Sequence, residues 1–217
     1  MYALDISDKT IPTPMNMRNE DLQRLIDSAK TAIFAAWPRG PCLAAAEAIF
    51  ERLTQVYPQT KPISDPDLPV KRYLGDGFKL AERGPRAVGD VAKAMSLLEP
   101  LTPWARRRDS TREQADFHEG HANAIYIGPG GFEERTDVLV GASLMAPRLQ
   151  YPDHSHPPEE IYLAMGAGGW RRNNEDWSFP LAGQLFYNTP NVIHAMITQE
   201  RPLLALWCLL PKDGVLR

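Results

Sequence analysis

In the first hundred residues, apolar positions recur at helical spacing. Leu22, Leu25, Ile26, Ala29, Ala32, Ile33 and Ala36 lie three and four apart, and Asn19, Glu20 and Asp21 ahead of them supply a capping side chain and an acidic first turn. This predicts an amphipathic helix. Pro38-Arg39-Gly40-Pro41 interrupts the pattern, after which Leu43, Ala46, Phe50, Leu53 and Tyr57 repeat it as far as Pro58 and predict a second helix. Thr60 to Pro69 holds three prolines and no period, which predicts a linker or ordered loop. Gly89 to Leu98 predicts a short third helix ahead of Pro100.

From about Ala122 the pattern changes to short β-rich runs punctuated by Gly and Pro. These are Ala124 to Ile127, Val138 to Met145, Ile161 to Met165, Val192 to Thr198 and Leu203 to Leu209. No helix-length segment separates them, so the crossovers of a parallel sheet are missing and a sandwich or barrel is expected. The fold class is therefore mainly β with an N-terminal helical segment (α+β). We divide it into a helical segment over 1–110 that packs on the barrel and a β-barrel over 111–217. The apolar stripes of the helices suit a cover on the barrel, a wall of its mouth, or a homodimer contact.

At 217 residues with 43% hydrophobic and 24% charged, the chain can bury one sizeable core, and collagen-like, coiled-coil and disordered classes fall away. A net charge of -3 argues against a nucleic-acid face or a polybasic membrane anchor. No stretch approaches the roughly 18 to 20 apolar residues of a membrane span, and Met1 to Asn16 lacks the regions of a signal peptide, so the cytoplasm is the default compartment. Cys42 and Cys208 form no CxxC and read as small buried hydrophobes.

All five histidines fall at or after the start of the β half. In Asp153-His154-Ser155-His156-Pro157-Pro158-Glu159-Glu160-Ile161-Tyr162, the two histidines are two apart, so an extended strand turns both to one face. Glu160 and Tyr162 have the same spacing on the next strand. An apolar barrel interior accepts two imidazoles, a carboxylate and a phenol only if their desolvation is compensated, and a divalent cation does that. His118 and His121 lack the i, i+4 spacing of a two-ligand helix turn and read as a solvated or substrate-adjacent loop. Arg106-Arg107-Arg108 reads as a solvated linker face with a weak attraction for an anionic substrate.

The run from His154 through His156 and Glu160 to Gly166 resembles the first cupin motif, with the glycine one position early. Gly183 to His194, with Pro190 between, resembles the second. Arg148 replaces the usual leading glycine, the inner glycine of the second motif is absent, and Thr198 replaces the terminal asparagine. The resemblance implies a double-stranded β-helix, a small jelly-roll barrel, with His154, His156, Glu160 and His194 as ligands of one divalent transition metal ion. A nearer resemblance is to the cupin-type dimethylsulfoniopropionate (DMSP) lyases. It rests on Tyr151 before the histidines, Glu159, Glu160 and Tyr162 after them, and Asn191, His194 and Met196 in a later strand.

That resemblance implies cleavage of a small zwitterion, DMSP, to dimethyl sulfide and acrylate by base-initiated β-elimination, a carbon–sulfur lyase reaction. It assigns the base to Tyr162, while Tyr151 is a candidate second base, gate or rim aromatic. The ligand set suits Zn, Fe, Mn, Co or Ni. For the sulfonium, a cation that prefers an aromatic face, Trp170, Trp177, Trp207 and Tyr187 are candidates; Trp207 reads as core, and Trp170 and Trp177 as surface or rim. The alternatives are another cupin metalloenzyme, such as an iron-dependent dioxygenase or sugar isomerase, and a non-catalytic cupin binding protein.

Overall fold

The computed structural model describes residues 17–60, 66–107 and 115–212. The first helix, α1 (Glu20–Ala35), begins as its sequence dictates: the Asn19 side chain accepts from the backbone N–H of Asp21 and Leu22. The second, α2 (Pro41–Arg52), opens with proline at its first position and stops before Leu53, short of the Tyr57 to which the period extends. Two more helices follow, α3 (Leu74–Glu82) and α4 (Arg86–Leu98). The helix α3 has a weak sequence signal because Gly75 and Gly77 lower its helical propensity, and Gly77 faces Leu204 and Leu144. Of the proline-rich segment, 61–65 lie outside the described residues, as do Met1–Asn16 and Arg108.

The first strand, β1 (Trp104–Ala105), precedes a short helix α5 (Ala115–Gly120) and the strands β2 (His121–Ile127) and β3 (Leu139–Met145). Then come β4 (Gln150–His154), β5 (Glu159–Ala164), β6 (Gly169–Arg172), β7 (Leu185–Asn188), β8 (His194–Ile197) and β9 (Leu203–Leu210). They form two antiparallel sheets, one ordered β1-β2-β3-β9-β5-β7 and one ordered β4-β8-β6. The fold is mainly β, a cupin double-stranded β-helix with N-terminal helices.

The larger sheet is buried on both faces, and strand alternation sorts its residues between two cores. On one face, Leu204, Leu206 and Cys208 join Ile161, Leu163 and Val140 in a core shared with α1, α2 and α4. On the other, Leu203, Ala205 and Trp207 join Tyr162, Phe186, Met196 and Trp170 between the sheets. The helices α2 and α3 pack directly on β9. The apolar stripe of α1 is buried within the chain. No helix among the described residues is long and apolar enough to cross a membrane.

Candidate active site

The site lies at the end of the barrel where β4, β5 and β8 meet. His154 closes β4 and pairs in register with His194, the first residue of β8. His156 is not on a strand. It sits in the connection from β4 to β5, yet the two prolines after it return the chain so that Glu160 and Tyr162 face inward from β5. One ring nitrogen from each of His154, His156 and His194 lies within 4.8 Å of the other two.

The ring orientations have a local cause. The Nδ1 of His154 is 2.9 Å from the Pro152 carbonyl, that of His156 is 2.9 Å from the Pro158 carbonyl, and that of His194 is 3.0 Å from the Val192 carbonyl. A carbonyl only accepts, so each Nδ1 carries the proton and each neutral ring directs its Nε2 lone pair inward. Glu160 Oε2 lies 3.3 Å from His156 Nε2 and 3.2 Å from His194 Nε2, and it accepts a 3.0 Å bond from Asn188 Nδ2. The His194 Nε2 is fully buried and makes no hydrogen bond. Four electron-pair donors thus converge with too few protons between them, an arrangement that a divalent cation fits.

Electrostatics follow from this crowding. Burial alone would raise the Glu160 carboxyl, but the His156 and His194 rings beside it hold it well below the usual carboxylate range. His154 moves down to about 3, through burial first and then the crowding of a second imidazole, His194, at a ring separation of 4.0 Å. His156 is raised, because Glu160 outweighs its desolvation. Tyr162 is raised well above the ordinary phenol value by burial, the Glu160 charge and Tyr151.

Next to the cluster is a cavity of about 180 Å³, bounded by Tyr151, His154, His156, Glu160 and Tyr162. Trp207, Leu139 and Leu209 line it beside Tyr162 and Glu160 on the large sheet, and Asn123, Ser143, Ser155 and Arg107 complete it. Every residue singled out for chemistry in the β4–β5 segment borders it, and His194 stands behind His154. Tyr151 is a buried member of the inner core, with its ring centroid 4.4 Å from His154 and 4.6 Å from His121.

Other residues fall differently from their sequence reading. Trp207 pairs with Tyr162 across β9 and β5, so it faces the cavity rather than serving only as core. Trp170 is fully buried beneath Tyr162 at a 6.0 Å ring separation, not at the rim, and Trp177 lies under Arg171. Tyr187 is bonded to Glu159 and does not border the cavity. His121 is buried, stacked on Phe117 and bonded to Asn123 at 3.1 Å, so it is no solvated loop residue; burial moves it down to about 3. Cys208 is buried and pushed up to about 12, whereas Cys42 is half-buried. Sequence reasoning missed Asn188 and understated Arg107; register opposite Glu160 reveals the first, and only folding the linker over β4 reveals the second.

A family model described as dimethylsulfoniopropionate lyase matches residues 43–205, well over half of the chain. The chain belongs to the dimethylsulfoniopropionate lyase family. It is 30% identical over 133 residues to DddL of Cereibacter sphaeroides, a protein assigned to the DMSP lyases, in a match that covers 61% of this chain and 54% of DddL. The chain thus spans about half the length of that relative. It is 28% identical over 178 residues to the DMSP lyase DddQ of Ruegeria pomeroyi, covering 77% of this chain and 80% of DddQ. The solved structure of that DddQ superposes with a TM-score of 0.63 at 23% identity over 90% of this chain and 93% of DddQ, which establishes a shared fold.

Proposed function

We propose that this member of the DMSP lyase family cleaves DMSP to dimethyl sulfide and acrylate, with His154, His156, Glu160 and His194 holding one divalent transition metal ion and Tyr162 as the base. The observation that carries this reading is the convergence of three inward Nε2 lone pairs and a buried carboxylate beside a small cavity that Tyr162 lines. Imidazole and carboxylate donors suit Zn, Fe, Mn, Co or Ni, and the ion would take a substrate carboxylate oxygen and stabilise the enolate-like charge that builds there.

The chain's own groups do the rest. The Tyr162 phenolate oxygen takes a proton from the carbon next to the carboxylate, that electron pair forms the new C=C bond, and the C–S bond breaks to release neutral dimethyl sulfide. Without a cation nearby, burial and Glu160 keep Tyr162 protonated and useless as a base. A cation held by the histidine cluster would offset the Glu160 charge and favour the phenolate. The flat Trp207 indole offers the sulfonium an aromatic face. Tyr151 orients the pocket from its other side. In the same reading, residues 1–110 back a catalytic barrel over 111–217.

Headspace detection of dimethyl sulfide from purified, metal-loaded protein given DMSP tests the proposal. The wild type should release it and a chelated sample should not. Tyr162→Phe should lose about 100-fold or more in turnover while keeping its metal content. Undiminished release by Tyr162→Phe would defeat the assignment of the base.

A further inference from the structure

Among the described residues that line the cavity, Arg107 is the one with a permanent positive charge. It reaches the site from the segment after β1, and its guanidinium carbon sits 5.5 Å from the centroid of the Tyr151 ring. Its Nη1 donates a 3.1 Å bond to the Tyr151 hydroxyl. That ring is itself wedged between Phe117, His121 and His154, at centroid distances of 4.7, 4.6 and 4.4 Å, so the guanidinium rests on a rigid support. Its charge is felt by His121, His154, His156 and Tyr162 alike.

We infer that Arg107 is a second hold on the carboxylate of the substrate and thereby fixes which end of the zwitterion faces the histidine cluster. The inference rests on the DMSP reading and adds a residue that discriminates between the substrate's ends. A guanidinium carries five N–H donors in a planar fork, so a bond to Tyr151 is compatible with a grip on a carboxylate oxygen. The same charge repels a sulfonium. A molecule with an anion at one end and a cation at the other then has one favourable orientation, with its carboxylate between Arg107 and the cluster and its sulfonium against Trp207 and Leu139. Arg107 touches substrate in this scheme but takes no proton.

The test uses two probes that each carry one end of DMSP: acrylate, which has only the carboxylate, and trimethylsulfonium, which has only the cation. Binding to metal-loaded wild type, Arg107→Gln and Arg107→Lys is measured by calorimetry, with metal content and thermal melting checked first. Arg107→Gln should weaken acrylate by about 10- to 100-fold and leave trimethylsulfonium within about twofold. Arg107→Lys keeps the charge without the fork and should lie between the two, which preserves the test if the glutamine variant folds poorly. With DMSP, KM should rise more than kcat falls, and added methylguanidinium should restore part of the loss in Arg107→Gln. Acrylate affinity unchanged in both variants, or both probes weakened alike, would overturn the inference. A wild type that binds acrylate but releases no dimethyl sulfide would sink the lyase reading alone, while the acrylate comparison still decides the role of Arg107.

Discussion

Gly141 stands opposite Trp207 on the β3–β9 ladder, and a Cβ there would come within 2.3 Å of the indole and 2.6 Å of the Ala124 carbonyl. Only glycine leaves room for the ring to lie over the strand and form one wall of the cavity. Gly141→Ala should therefore push the indole into the cavity. We expect a loss of about 1–3 kcal/mol in stability from overpacking and a KM for DMSP raised more strongly than for substitutions on the far face of the sheet. A KM equal to wild type would show that the indole does not shape the pocket. The residues most legible beforehand, His154, His156, Glu160 and Tyr162, announced themselves through spacing along one short segment. Trp207 and Asn188 did not, because only strand register turns Trp207 beside Tyr162 and Asn188 opposite Glu160.

At the scale of elements, a buried ion cluster joins the start of α1, the end of α2 and the β2–β3 connection. Arg18 grips Glu133 through Nε at 2.7 Å and Nη2 at 3.0 Å, and also donates to the carbonyls of Leu53 and Gln55 just past α2. Arg135 donates to Glu133, to the carbonyls of Arg52 and Gln55, and to Asp137. Glu133 is the central anion, fully buried between two guanidinium groups. Glu133→Gln leaves those cations undercompensated and should cost about 3–5 kcal/mol in urea unfolding; a loss below about 1 kcal/mol would refute its central place.

Asp137 is lowered by its bond to Arg135, so its contribution to stability is present above the ordinary aspartate pKa and fades as pH falls below about 4. Asp137→Asn should flatten the stability curve in that acid range and leave its alkaline side unchanged.

The elements themselves were unequally legible. Strand β9 is buried on both faces, so Leu203 to Leu210 reads as one apolar run, and α1 carries its cap and stripe in plain view. Short β6 and β7 carry neither a long apolar run nor a clean alternation. The helix α3 is masked by two glycines, Gly75 and Gly77.

At the scale of the molecule, one hydrophobic core runs from α1, α2 and α4 into the outward face of the large sheet. The barrel cannot shed its helices without exposing that face to water. Thermal unfolding should accordingly be a single transition whether followed by helical circular dichroism or by tryptophan fluorescence, and two separated transitions would contradict the shared core. A metal present at about 100 times its dissociation constant should add about 2.7 kcal/mol, which is about 5–10 °C in Tm for a chain of this size; a Tm unmoved by a chelator would count against the metal. The helical cover was visible as amphipathic stripes, but its destination on β9 and β5 depended on which strands lie at the centre of the sheet.

The bonds from the three imidazoles to the carbonyls of Pro152, Pro158 and Val192 each span only two residues. The rings are aimed by short stretches of neighbouring backbone, so an emptied pocket keeps its shape instead of collapsing as a zinc finger does. On the proposed metal-binding reading, different ions would enter and depart without the chain refolding. If the cluster holds a metal as proposed, its occupant in a cell would be set jointly by the affinity of imidazole and carboxylate donors for each transition ion and by how much of that ion is at hand.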